Sequence, residues 1–159
     1  MEYENLLNLL NKIGQEAVDY YKEDLKTNNS YATGNLFNSV QYKIEITSTN
    51  IILSFDNLPD YYYYVEYGRK PTKRIVSSSG DKRLQTIIRK WIDDKGIVPY
   101  EINGVTPTKD QLAYLITRKI HKEGFEGKLY IRDIRTKLYY NYENELREAL
   151  IIDIKNMIK

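Results

Sequence analysis

Two long stretches with the period of an amphipathic helix bracket this chain, and together they constrain whatever lies between them. In the first, Leu6, Leu10, Ile13, Ala17 and Tyr21 recur at three- and four-residue steps. Leu7 and Val18 widen the stripe, so a helix is expected from about Glu4 to Lys26. In the last, Leu138, Tyr142, Leu146, Leu150, Ile154 and Ile158 mark a helix from about Lys137 almost to the C-terminus. Each stripe must be buried against another element, and the intervening sequence has to supply it.

The first candidate partner is a hairpin. Val40, Tyr42, Ile44 and Ile46 alternate with Gln41, Lys43 and Glu45, which is the two-residue period of a half-buried strand. After the turn-like Thr-Ser-Thr-Asn the pattern resumes at Ile51, Leu53 and Phe55. The next β-prone run is Tyr61 to Tyr67. As a strand it places Tyr61, Tyr63, Val65 and Tyr67 on one face and Tyr62, Tyr64 and Glu66 on the other, completing a three-stranded meander.

Beyond Gly68 comes a basic loop rich in serine and glycine, expected to be exposed and mobile. Leu84, Ile87, Ile88, Trp91 and Ile92 then form a short amphipathic helix closing near Lys95 and Gly96. Thr108 with Gln111 has the form of a capping box, starting a helix whose apolar face is Leu112, Leu115, Ile116 and Ile120 and whose C-terminal stop is Gly124. A short strand is expected at Leu129 to Ile131. The resulting expectation is an α+β fold: an antiparallel meander of three to four strands packed against N-terminal, inserted and C-terminal helices. One domain over residues 1–159 is expected, with a helical insertion at about 82–124.

Composition narrows the function classes. The chain has no cysteine, which excludes a disulfide framework and a thiolate metal site. No apolar run approaches the ~18 residues that a membrane span needs, and the acidic, asparagine-broken N-terminus is unlike a secretory signal. A protein without membrane contact, made without signal-peptide export, is the expectation. Sixteen tyrosines stand against three phenylalanines, a division that suits interfaces because tyrosine joins apolar area to a hydroxyl that can stay wet. Charge is unevenly placed. Residues 1–30 carry 3 Lys and Arg against 6 Asp and Glu, residues 31–67 carry 1 against 4, and residues 68–95 carry 9 against 3. Such a basic segment suits an acidic partner, whether phosphate or protein, although a solvated surface reads the same way.

Catalytic candidates are few. The only histidine, His121, falls in the last turn of its helix beside Lys122, where a surface role is the commoner reading. The Ser77–Lys82 segment lacks the spaced glycines and the Lys-Ser/Thr ending of a phosphate loop. Adjacent Asp93 and Asp94 point about 100° apart on a helix and do not readily share a metal. Glu143, Glu145 and Glu148 suit a solvated helix face. No enzyme, metal or cofactor is expected. Nucleic-acid binding is the competing class, with tyrosines of an open sheet stacking on bases and the basic loop following phosphates. Against it stand Glu66 within the tyrosine run and the acidic segment before it.

Two motifs carry a family resemblance. Ala32 to Val40, with Thr33, Gly34, Leu36 and Ser39, is followed at a distance by Tyr61 to Gly68, with Tyr61, Tyr64, Val65, Glu66, Tyr67 and Gly68. Together they resemble the head–tail joining and tail-completion proteins of tailed bacteriophages, the neck or minor-tail components of the HK97 type. The Trp91 helix and the later Leu112-Ala113-Tyr114 helix are similar to members with a helical insertion. Tyr62 departs from the alanine usual at its position, and the segment after Gly127 lacks the usual prolines. The resemblance implies a structural virion protein without catalysis. It implies a cyclic homo-oligomeric ring in the neck that touches the portal and other neck or tail proteins, with the host cytoplasm as the place of assembly. Tyr62, Tyr64, Glu66, Arg69, Lys70, Lys73 and Arg74 are the expected contacts with the next subunit, the portal or non-specifically with channel DNA.

Overall fold

The computed structural model describes residues 3–28, 34–72, 82–101 and 104–158, with the side chains of Lys82 and Arg83 outside the description. Thr33, Lys73 and Arg74 therefore lie outside the described residues. The elements in chain order are α1 (Glu4–Thr27), α2 (Asn35–Ser39), β1 (Gln41–Ile46), β2 (Ile51–Asp56), α3 (Tyr62–Tyr67), β3 (Gly68–Arg69), α4 (Lys82–Asp94), α5 (Lys109–Glu123), β4 (Phe125–Glu126) and α6 (Tyr130–Met157). The α+β class is as expected. The chain divides into two compact units, one of residues 1–31, 35–62 and 129–159, the other of residues 32–34 and 63–128.

In the first unit α1 packs along α6, and the β1–β2 hairpin packs on α1. The hairpin is antiparallel with Tyr42 opposite Phe55 and Ile44 opposite Leu53. Its apolar face lies on α1. The Tyr42 ring occupies the space above Gly14, where an added Cβ would fall 2.6 Å from the ring's Cγ. Tyr21 is wholly buried between Phe55, at 5.4 Å between ring centroids, and Tyr130, edge-on at 6.0 Å. Leu25, Leu36, Val40, Ile134 and Leu138 complete this core.

The last helix begins seven residues before Lys137. The expected strand at Leu129 to Ile131 is instead the start of α6, because Tyr130 and Ile134 extend the buried stripe of Leu138 and Tyr142 back at four-residue steps. At the other end the buried positions are Ala149 and Asp153, whereas Leu150 and Ile154 are exposed. Four-residue steps advance about 400° on a helix, so a stripe followed by fours alone drifts off the buried face, and a seven-residue step from Tyr142 to Ala149 restores it.

Asp153 does structural work at that position. α1 has no capping side chain of its own. Asp153 Oδ1 accepts from the Asn5 backbone N–H (3.1 Å) and side-chain amide (2.7 Å), and Oδ2 accepts from the Leu6 N–H (2.9 Å). Two of the orphan donors at a helix start are thus satisfied from a residue nearly at the other end of the chain. Burial opposes ionisation there, yet these bonds hold the carboxyl below its ordinary value. About three turns along, Glu16 accepts from Tyr142 and Tyr20, which lowers its pKa, and the carboxylate in turn pushes the Tyr142 hydroxyl up to about 12.

In the second unit α4 packs against α5, with Ile92, Ala113, Thr117 and His121 buried. The capping box forms as the sequence indicates: Thr108 Oγ1 accepts from the Gln111 N–H at 3.2 Å, and the Thr108 N–H donates to Gln111 Oε1 at 2.8 Å. Arg89 bonds both Asp93 and Asp110, and Lys109 reaches Asp93 at 2.7 Å, linking the two helices across their exposed side. β3 pairs antiparallel with β4, Gly68 opposite Glu126 and Arg69 opposite Phe125.

Candidate functional site

The tyrosine run is a helix, not the third strand of a meander. Pro59 O accepts from the Tyr62 N–H at 2.8 Å, opening the turn that α3 continues to Tyr67. β-propensity describes the fit of a side chain to a pleated, half-buried surface and does not by itself fix the backbone. Both hairpin strands pair with each other alone, and the backbone after Asn57 turns away with φ +55 at that residue. Gly68 ends the helix at φ +71, the left-handed conformation usual after a helix C-terminus. Among the described residues the four strands consequently form two separate pairs.

Helical rather than strand periodicity redistributes the side chains. Tyr63 and Tyr67, four residues apart, are 54% and 57% exposed with ring centroids 4.8 Å apart, and Tyr64, 50% exposed, stands edge-on to Tyr63 at 6.1 Å. Glu66 is buried at 1% exposure and Tyr62 is half-buried. The surface aromatic patch is therefore Tyr63, Tyr64 and Tyr67. Tyr62 and Glu66, read from the strand pattern as outward contacts, are turned inward by the 100° step.

The described start of the basic loop, Arg69 to Thr72, is bonded to the end of α5, and the rest of the loop, 73–81, lies outside the described residues. Arg69 is half-buried within β3, and its guanidinium lies 3.5 Å from His121 Nδ1. The Thr72 N–H donates to the His121 carbonyl at 2.9 Å, and Thr72 Oγ1 lies 2.9 Å from His121 Nδ1. The expectation of a surface histidine is corrected: His121 is 8% exposed. The reason is that α5 leaves carbonyls unsatisfied at its C-terminus and the 70–72 segment supplies a donor. Lys70 and Pro71 are exposed.

The two sequence motifs meet at one bond. The Leu36 N–H, in the first turn of α2, donates to the Tyr61 hydroxyl at 2.9 Å. Partial burial raises the Tyr61 pKa against the lowering effect of that bond. Leu36 is buried, Ser39 Oγ reaches back to the Leu36 carbonyl at 3.5 Å, and the Ser39 carbonyl accepts from Asn57 Nδ2 at 3.0 Å. Beside them lies an open cleft of about 340 Å³ lined by Asn35, Asn38, Ser39, Asn57, Leu58 and Pro59. Gly34 has φ +78, and Val65 is half-buried with its carbonyl accepting from the Lys128 N–H at 2.9 Å.

Sequence reasoning missed Thr72, Asn57 and Asp153. Asp153 had a signal, an acidic residue in register with a buried stripe; Thr72 and Asn57 had none. Among the described residues no cluster of three or more His, Asp or Glu side chains is placed to hold a metal ion, and no helix is long and apolar enough to cross a membrane. No protein-family model, curated protein or solved structure matches the chain.

Proposed function

We propose that the chain is a structural protein of a tailed-bacteriophage virion, one subunit of a cyclic ring in the neck that joins the portal to the tail. Assembly, not catalysis, is its work. The observation that carries the reading is the solvent-facing patch of Tyr63, Tyr64 and Tyr67, followed in the chain by exposed Lys70. It supplies the aromatic, partly polar surface that a subunit contact uses. The uneven charge supports the same reading, since a ring joins one face of each subunit to a different face of the next. The bond between Leu36 and Tyr61 supports it further by giving the two family-like motifs a common structural purpose.

The test is a Tyr64→Ser, Tyr67→Ser, Lys70→Glu variant supplied in place of the wild type during phage assembly. All three side chains are exposed, so the variant should keep its circular dichroism spectrum and Trp91 emission. Negative-stain images should then show heads and tails unjoined. Normal infectious particles would sink the proposal.

A nucleic-acid contact is the second reading, favoured by the same exposed rings followed in the chain by a lysine, although its platform is a helix surface rather than a tyrosine-rich sheet. It requires DNA affinity that falls steeply with salt as counterions are released.

A further inference from the structure

We propose that β1 is a self-pairing edge through which two copies of the chain join about a twofold axis, making one four-stranded antiparallel sheet in the order β2–β1–β1–β2. The proposal concerns the free protein and is independent of the ring reading.

It begins with the direction of the backbone groups. The turn bond from the Thr47 N–H to the Asn50 carbonyl, 2.8 Å, fixes that pair as hydrogen-bonded. Such pairs alternate along an antiparallel ladder, so Glu45 with Ile52, Lys43 with Ser54, and Gln41 with Asp56 exchange bonds across the hairpin. The N–H and C=O groups of Tyr42, Ile44 and Ile46 consequently point away from β2. No residue of the described structure bonds them, and the hairpin is a sheet of only two strands. An uncovered edge of this kind is a template for another strand.

The sequence of β1 selects its own copy as that strand. Twofold pairing centred on Ile44 sets Tyr42 against Ile46 of the second copy, Ile44 against Ile44, and Ile46 against Tyr42. These are the residues whose outward backbone groups no described residue bonds, so each pair can exchange two bonds. In the alternating non-hydrogen-bonded pairs, where side chains approach most closely, Lys43 then stands opposite Glu45 of the second copy, and Glu45 opposite its Lys43. Within one chain Lys43 and Glu45 already pair at 2.6 Å on the exposed face, with side chains about half exposed. Dimerisation would join two such pairs into a cluster of alternating sign. On the opposite face, Ile46, 58% exposed, gains the partner's Tyr42 as an apolar neighbour. β2 has no equivalent pattern: Asp56 is its only charge, and no twofold register sets it against a cation. The β2 edge therefore lacks the charge complementarity that makes β1 specific for itself.

Two measurements test this. Sedimentation equilibrium over a concentration series should show a monomer–dimer equilibrium, and hydrogen exchange at the Tyr42, Ile44 and Ile46 amides should slow as the dimer fills. The Gln41, Lys43 and Glu45 amides, already bonded within the hairpin, should be protected throughout. Lys43→Glu and Glu45→Lys should each weaken the dimer about tenfold, by turning two attractive cross-strand pairs into repulsive ones. An equimolar mixture of the two variants, or the double exchange in one chain, should restore it. Both side chains are exposed, so the variants should fold. A strict monomer at millimolar concentration overturns the proposal, as does a dimer whose Tyr42, Ile44 and Ile46 amides exchange freely. Capture of a different protein on this edge with no self-association also overturns it.

Discussion

Replacing Gly68 by alanine separates two costs that usually arrive together, the strain of a left-handed backbone and the loss of close approach. Gly68 (φ +71) and Gly96 (φ +63) share nearly the same conformation, but a Cβ at Gly96 would meet nothing within 4 Å. At Gly68 it would strike the Phe125 carbonyl oxygen and lie 2.7 Å from the Glu126 carbonyl carbon. Those neighbours are backbone of the paired strand, held by the ladder, and cannot swing aside as a side chain would. Gly96→Ala should therefore cost only the left-handed penalty, about 1–2 kcal/mol. Gly68→Ala should cost that plus roughly 1–3 kcal/mol for overpacking. Trp91, the single tryptophan, sits on α4 in the same unit as both glycines, so its fluorescence during urea unfolding reports on that unit. With a slope of about 1 kcal/mol per molar urea for so small a unit, the Gly68→Ala midpoint should fall 1–3 M further than that of Gly96→Ala, on the order set by the overpacking term. Equal shifts would refute the claim that β4 lies against Gly68 as described.

Asp153→Ala should lower the melting temperature by several degrees and speed exchange at the Asn5 and Leu6 amides, while Asp153→Asn, which keeps an acceptor, should lose less. For acid stability the sign follows from the lowered pKa values of Glu16 and Asp153: their folded-state values lie below the unfolded ones, so their contribution is complete above about pH 4.3 and is lost as pH falls through the folded values. A thermal-melt series should thus be level from pH 7 to 5 and decline below 4. Asp24 acts oppositely, raised by burial and by neighbouring Glu23, so Asp24→Asn should stabilise at pH 7 and have no effect once the native carboxyl is protonated.

How much of this could be read from the chain differs by element. α1, the hairpin, the capping box at Thr108 and the stop at Gly124 rest on local signals, and each forms where those signals lie. The segment Tyr61–Tyr67 carries strand-like residues in alternation, yet seven residues are too few for period alone to discriminate between strand and helix. That single difference moved the candidate interface from Tyr62, Tyr64 and Glu66 to Tyr63, Tyr64 and Tyr67. His121 was misplaced for a related reason: its hydrogen-bond partner Thr72 lies 49 residues away in sequence.

The sequence alone determined which segments have one apolar face and where helices are capped, because these depend on residues within a few positions of one another. It also determined the alternation of charge along β1. Tertiary structure decided which of two competing faces is buried at the end of α6, whether the tyrosine run is extended or coiled, and that a carboxylate at position 153 closes the first turn of the chain. Such outcomes depend on which partner surface and which unsatisfied backbone groups come within reach after folding, and local sequence does not encode that distance.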